Sequence, residues 1–230
     1  MAGRSGSLGR RLGRGRPWAP AFAGESGRGG GGGRRGGVDF GAGGASLGAS
    51  QPETAAVTFT LYEASAPVFV RSLRNMERWL DKAGAWAEAG PGEAALLEAR
   101  LAPDMRPFPA QIQLASDSAK GAVARLTGVA APAMADTEGS LAELRDRIVR
   151  TVAFVEGVDA GAYAGAEERE VVLRTPSGAG WRWTGRDYLT GFALPNFFFH
   201  VTTAYGLLRG AGVELGKPDF LAHLGPPNLD

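Results

Sequence analysis

The chain has 230 residues, no cysteine and a formal net charge of +1. Without cysteine it has no disulfides, thiolate nucleophiles or cysteine-ligated metal sites, and this composition is typical of a reducing compartment. No apolar run approaches the roughly 18 residues that a membrane-spanning helix needs. We therefore expect a cytoplasmic protein with no membrane segment, built from one or two domains.

Residues 1–56 differ in composition from the rest of the chain. They hold half of the 36 glycines, and eight arginines against three acidic residues give them a net charge of +5, which leaves −4 for residues 57–230. Such a segment buries too little apolar surface to offset its backbone entropy. The composition therefore predicts a disordered leader, 1–56, ahead of one folded domain, 57–230.

Three further hypotheses concern this leader. Arg10-Arg11 is reminiscent of an export signal, but arginines and prolines interrupt the apolar stretch that must follow it. Arginine- and glycine-rich segments can bind RNA through phosphates and stacking, although the few aromatic residues here do not favour nucleic acid as a partner. The patterned sequence starts at Val57, and a valine codon can initiate translation in bacteria, so the native chain could also begin there.

Four segments have helical periodicity, and they cover residues 60–90, 109–126, 140–155 and 184–208. Thr60 and Ser140 each have a glutamate three residues later, which is the spacing of a capping box. Gly128 is expected to end the second helix. Pro67 either kinks the first helix or marks a later start, and Pro195 should kink the last one.

A small β-hairpin is predicted just before the last helix, because residues 169–183 contain two alternating runs around a proline- and glycine-containing turn. In the last helix Phe197, Phe198 and Phe199 span about 200° of the circumference, at roughly 100° per residue. A helix this apolar lies at the centre of a bundle or in an oligomer interface. Four helices with short connections predict an all-α, up-and-down four-helix bundle.

Polar residues on facing helices mark a candidate site. Asn196 and His200 lie four residues apart on the last helix, and Gln113 and Asp117 have the same spacing on the second. Asp117 could hold one tautomer of His200 and turn the other ring nitrogen towards a pocket, as suits a general base, a weak metal ligand or a ligand-orienting group. Alternatively, His200 is a core residue bonded to Asp117 or to backbone, since buried polar groups usually pair internally.

Two further residues complete the candidate ligand-binding set. Tyr188 could line the same pocket, although aromatic residues in bundles more often belong to the core. Asp104 stands between Pro103 and Pro107, where it could equally cap a turn. No catalytic residue is assigned.

Several stretches make residues 57–221 resemble the bacterial family called domain of unknown function 1993. They are residues 61–69, 99–105, 116–121, 124–126, 212–217 and, most specific of all, 192–205, which reads Phe-Ala-Leu-Pro-Asn-Phe-Phe-Phe-His-Val-Thr-Thr-Ala-Tyr. That family is similar to the DinB/YfiT-like four-helix bundles. The resemblance implies a bundle fold and a tendency to dimerise, and it implies no established activity.

Many DinB-like proteins bind a divalent metal through three histidines, two of which lie on the last helix. His200, before Leu207-Leu208-Arg209, matches the later of these two positions. Asn196 stands four residues earlier, where the other histidine would be, and the second helix has no histidine. His200 is thus the single candidate histidine ligand. A divalent metal is less favoured than its absence, and the cofactor stays unassigned.

From these observations we expect an uncharacterised DinB-like helical-bundle protein that forms a homodimer, with a small-molecule pocket around His200. Two alternatives stay open. One is a metal- or thiol-cofactor-dependent transferase of the DinB-like kind that uses His200 with Asp117 or Asn196. The other is an RNA-associated protein acting through the leader. The sequence does not decide whether a reaction is catalysed.

Overall fold

The computed structural model describes residues 59–90, 92–175, 177–226 and 229. The predicted leader, residues 1–56, lies outside this range, and so do the hypotheses about its export, its RNA binding and the start at Val57. In chain order the elements are α1 (Leu61–Glu88), α2 (Glu93–Leu97), α3 (Phe108–Thr127), α4 (Leu141–Glu156), β1 (Glu170–Arg174), β2 (Gly180–Thr184), α5 (Gly185–Tyr188), α6 (Leu194–Ala211) and α7 (Lys217–Phe220).

The predicted caps fix where the long helices begin and end. Thr60 and Glu63 form a full capping box, in which the Glu63 N–H donates to the Thr60 hydroxyl at 3.2 Å and the Thr60 N–H donates to the Glu63 carboxylate at 2.9 Å. At α4 the Ser140 hydroxyl accepts from the Glu143 N–H at 3.1 Å, but the Glu143 carboxylate accepts from the Gly139 N–H, so the capping box is only half formed. Gly128 ends α3 with a φ of 81°, a left-handed conformation that glycine adopts without strain.

The two prolines behave differently. α1 begins at Leu61 and runs through Pro67, so the alternative of a later start after Ser65 is wrong. Near Pro195 the last long helix does change, because a π-helical turn, Leu189–Ala193, separates α5 from α6. Proline has no N–H for the carbonyl four residues earlier, and a wider turn accommodates that missing bond.

The four long helices pack around one apolar core. α1 and α3 each contact both α4 and α6. The predicted apolar stripe of α4 is buried throughout, and its members are Leu141, Leu144, Ile148, Val152 and Val155. Of the three phenylalanines, Phe197 is fully buried while Phe199 is 54% exposed. In the residues described here, no helix is long and apolar enough to cross a membrane.

The predicted hairpin is present as a two-stranded antiparallel sheet. Trp181 lies opposite Leu173, and Trp183 lies opposite Val171. The two tryptophans share one face with stacked rings 6.1 Å apart, and Trp183 stacks in turn on Phe192 in the π-helical turn. The predicted fold class is therefore confirmed: the described chain is mostly helical, with a small hairpin before the last long helix.

Candidate functional site

His200 lies on α6 and faces the beginning of α3. The residue is 9% exposed, and its Nδ1 lies 2.9 Å from Oε1 of Gln111. Because an amide oxygen only accepts hydrogen bonds, Nδ1 carries the proton and Nε2 keeps its lone pair. No described residue bonds to Nε2, and this atom is not among the enclosed side-chain atoms that lack a partner. The second nitrogen of His200 is therefore left without a protein partner in the described residues and is not fully enclosed.

The environment keeps the ring of His200 neutral. Burial, with a smaller contribution from the positive charge of Arg106, lowers the pKa of His200 to about 4. At neutral pH the side chain is thus a hydrogen-bond acceptor at Nε2 and a donor at Nδ1.

Asn196 makes a second polar contact between α6 and α3, one turn before His200. Its Nδ2 donates to Oγ of Ser118 at 2.7 Å, and this hydroxyl donates to the carbonyl of Leu114 at 2.6 Å. Asn196 and His200 therefore both reach α3, but their partners are Ser118 and Gln111. We call these two pairs the neutral seam.

Gln113 and Asp117 point away from the neutral seam and towards α4. Oδ1 of Asp117 lies 2.8 Å from Nη2 of Arg147 and 2.9 Å from Nζ of Lys120. Gln113 donates to Oε2 of Glu138 at 2.9 Å. The hypothesis that Asp117 orients His200 is wrong, because Asp117 forms its bonds on the opposite side of α3.

Arg147 is fully buried and organises this second group. Its Nη1 donates to the Ala135 carbonyl at 3.1 Å and to Oε1 of Glu138 at 2.9 Å, and its Nη2 also lies 3.0 Å from Oδ1 of Asp136. We call Arg147, its three carboxylate partners Asp117, Asp136 and Glu138, and Lys120 the charged seam.

The pKa values of the charged seam follow from burial and pairing together. Burial opposes the charge on Arg147, yet the bond to Glu138 and the nearby carboxylates raise its pKa. Burial likewise acts to raise the pKa of Glu138, but the bonds from Arg147 and Gln113 outweigh it, and the net pKa is lowered. Both groups are therefore charged at neutral pH. Sequence reasoning missed Arg147, and its one signal is its place beside the apolar stripe, directly before Ile148.

The remaining two candidates make no hydrogen bond with His200. Tyr188 is buried, stacks on Phe192 and accepts a 3.3 Å hydrogen bond from Arg125. Burial raises the pKa of Tyr188, and the charge of Arg125 opposes this rise. Asp104 is exposed in the turn between α2 and α3, and no described residue pairs with its carboxylate. Tyr188 is thus a core residue, and Asp104 a surface residue.

The donor set does not suit a three-histidine metal site. The chain has only two histidines, and Nδ1 of His223 lies 3.1 Å from Nδ2 of Asn75 on α1, whereas His200 bonds α3. Asn196, at the position of a second ligand, commits its amide to Ser118. Across the described parts of the chain, no three His, Asp or Glu side chains are placed to share a metal ion.

Two shallow surface grooves lie elsewhere on the domain. One, of about 430 Å³, is lined by residues of α4 and of the segment before it, and includes Glu138, Asp146 and Arg150. The other, of about 330 Å³, lies between the end of α1 and the start of α4. None of the six candidate residues lines either groove.

The comparisons with known proteins bear on the family and the fold. Residues 61–221 match the family described as Domain of unknown function (DUF1993). The crystal structure of a DinB family member protein from Shewanella denitrificans is similar, with a TM-score of 0.66 and 39% sequence identity, and the match covers 74% of this chain and 94% of that one. No curated protein matches the chain.

Proposed function

The chain belongs to the DUF1993 family and is DinB-like. For this family member we propose that it binds a small molecule beside His200 without a metal ion. The observation that carries the proposal is the unequal use of the two ring nitrogens. Nδ1 is held by Gln111, whereas Nε2 has no partner among the described residues and is not fully enclosed. A fixed, neutral imidazole with one open nitrogen is suited to accept a hydrogen bond from a ligand.

The surroundings of Nε2 indicate what kind of molecule would suit this position. Arg106 is close enough to depress the pKa of His200, so its positive charge would favour an acidic group nearby. Phe199 is 54% exposed, and its ring packs edge-on against the His200 ring with the centroids 5.1 Å apart. A ligand with an N–H or O–H donor, an acidic group and a small apolar part would match all three features.

The alternative of a DinB-like transferase would use His200 as a general base. A base with a pKa of about 4 drives proton transfer poorly at neutral pH, because general bases are most effective when their pKa lies near the working pH. This weak basicity supports binding over catalysis. The second alternative, RNA binding through the leader, depends on residues 1–56.

The predicted homodimer is also part of the proposal, and its support is the exposure of Phe199 on α6, which would place the ligand beside His200 at the edge of the subunit interface. Light scattering on the purified protein measures the oligomer directly. A dimer that becomes a monomer in Phe199→Ser would support an interface at α6, and a wild-type monomer would contradict the prediction. The absence of cysteine supports a cytoplasmic location.

Diethyl pyrocarbonate acylates an accessible, uncharged imidazole nitrogen. Treatment with this reagent therefore tests whether Nε2 of His200 is available to a ligand. The chain has only two histidines, so peptide mapping assigns both products, and exposed His223 is the internal control. We expect both histidines to be modified at neutral pH, and elemental analysis should find no stoichiometric metal in the wild type or in His200→Ala. If His223 reacts and His200 does not, Nε2 of His200 is enclosed and the proposal is wrong. Stoichiometric metal in the wild type that is absent from His200→Ala would instead support the metalloenzyme alternative.

A further inference from the structure

The connection between α3 and α4, residues 128–140, is a long loop with no helix or strand of its own. Irregular loops of this length are uncommon in compact domains and often have a function. Every residue of the loop is exposed except Met134, Glu138 and Ser140, which are half-buried. The loop therefore buries little apolar surface, and other contacts must hold it in place.

Those contacts are almost all polar. Arg147 bonds the carbonyl of Ala135 and the carboxylates of Asp136 and Glu138, and Lys120 donates to the carbonyl of Pro132 at 3.3 Å. Arg147 and Lys120 both belong to the helices beneath the loop. A loop held mainly by hydrogen bonds and ion pairs can be displaced by a solute that offers the same groups.

The surface beneath the loop is unusually polar for a contact between two helices. Ser116 and Thr151 are fully buried and bond each other at 2.6 Å, and Arg147 is fully buried beside them. Apolar side chains would serve packing alone at least as well as a buried ion pair, so a charged surface at this position calls for a specific role.

The loop itself supplies the surplus of negative charge. With the loop in place, Arg147 and Lys120 face three carboxylates, so the charged seam has a net charge of −1. Without Asp136 and Glu138, only Asp117 remains and the net charge is +1. The two loop carboxylates thus occupy the positions that an incoming anionic group would take.

Arg147 also has one donor to spare. Its Nε is buried and has no partner among the described residues, whereas Nη1 and Nη2 are both bonded. Carboxylates prefer to bind a guanidinium with two parallel hydrogen bonds. A carboxylate on Nε and Nη2 would make such a pair and would replace Asp136.

The groove of about 430 Å³ adjoins this position, because Ala135 and Glu138 line it and also bond Arg147. Its volume suits a small molecule. On the α4 side the groove is lined by Glu143, Asp146 and Arg150. Carboxylates outnumber the one guanidinium there, so the groove favours a positively charged group.

We propose that loop 128–140 covers a binding site for a small molecule that carries both a carboxylate and an ammonium group. The carboxylate binds Arg147 in place of Asp136, and the ammonium group lies in the groove near Asp146 and Glu143. Asp136 acts as an internal competitor that keeps the loop closed when no ligand is present. This site is separate from His200 and does not depend on the function proposed for it.

Calorimetric titration of the full chain with 4-aminobutyrate tests this site, with butyrate and succinate as comparison probes. We expect 4-aminobutyrate to bind Asp136→Asn about tenfold more tightly than the wild type, because the substitution weakens the internal competitor. Asp136 is 57% exposed, so the variant should fold. Asp81→Asn is the matched control, since Asp81 is an exposed carboxylate that pairs with Arg145 away from the loop.

The outcomes separate cleanly. Support requires that 4-aminobutyrate binds better than butyrate or succinate and that Asp81→Asn binds like the wild type. It also requires faster proteolytic cleavage within residues 129–139 when the ligand is bound, because the loop is displaced. The proposal is overturned if folded Asp136→Asn binds none of the probes or has wild-type affinity. Equal affinities for butyrate and 4-aminobutyrate would overturn it as well.

Discussion

On one side of α3, Gln111 and Ser118 contact α6 through neutral hydrogen bonds. On another side, Asp117 and Lys120 form ion pairs in the charged seam between α3 and α4. The neutral seam satisfies one nitrogen of His200 and leaves the other open. The charged seam gives its guanidinium three carboxylates and places a loop over it. The same helix thus presents an open acceptor on one side and a covered cationic group on the other.

This difference has a physical consequence for function. A neutral hydrogen bond contributes little net stability, so the neutral seam can exchange solvent for a ligand at low cost. A buried charge costs far more when it loses its partner, so the charged seam can open only when another anion replaces the loop. Substitutions should therefore affect stability most strongly in the charged seam and mildly in the neutral one.

The largest effect is expected for Arg147→Met. The substitution leaves Glu138, whose side chain is 6% exposed, without its cationic partner, and we expect the free energy of unfolding to fall by about 3–5 kcal/mol. Urea denaturation measures this change. Arg145→Met is the matched control two residues earlier on α4, where pairs with half-buried Glu77 and exposed Asp81 remain in contact with solvent and should be worth about 0–1 kcal/mol. Equal losses in the two variants would mean that the buried ion pairs of Arg147 stabilise the fold no more than surface pairs do, which would contradict the role given to the charged seam.

The second effect is a dependence of stability on pH through His200. Its pKa is about 4 in the folded protein and near 6.5 when unfolded, so between these values only the unfolded chain takes up the proton. The free energy of unfolding should fall as pH drops through this window, by up to about 3 kcal/mol.

The measurement is the difference between the wild type and His200→Gln in denaturation at a series of pH values. Both proteins share all of their carboxylates, so the difference isolates the histidine. If the two curves run parallel from neutral pH to about 4, the pKa of His200 is not depressed.

A smaller effect is expected for Gln111→Met, which leaves the proton on Nδ1 of His200 without an acceptor. We expect a loss of about 1–3 kcal/mol in unfolding free energy. The double variant Gln111→Met/His200→Phe removes both partners and should lose less than the two single variants together. Additive losses would mean that the two side chains do not depend on each other.

The smallest effect is expected for Asn196→Ala. The half-buried bond from Asn196 to Ser118 should be worth about 1 kcal/mol, as for an ordinary neutral hydrogen bond. Ser118→Ala should cost about the same in chemical denaturation. A loss of unfolding free energy several times larger would mean that the Asn196–Ser118 bond contributes as much to stability as the ion pairs of the charged seam.

The helix ends were predictable because their signals are local. Thr60 with Glu63, Ser140 and Gly128 each satisfy backbone groups within a few residues, so chain sequence alone contains the information. The hairpin was equally readable from the alternation around Trp181. The burial of the α4 stripe followed from its period.

The pairing of side chains across helices was not predictable in the same way. Gln111 and Asp117 both lie on α3, and which of them meets His200 depends on how α3 is rotated and shifted against α6. Gln111 gave one weak signal, because it lies four residues before buried Ala115 on the apolar side. Arg147 beside Ile148 gave a similar one, but an arginine bordering an apolar stripe usually extends to solvent.

The most direct test of the account is long-range proton–nitrogen NMR on histidine-labelled protein, with His223→Gln to assign the signals. We predict that His200 is neutral at neutral pH, protonated on Nδ1 and unprotonated on Nε2, and that it titrates with a pKa of about 4. A His200 ring protonated on Nε2, or one that titrates near 6.5 like a free histidine, would contradict both the role of Gln111 and the open acceptor on which the proposed function rests.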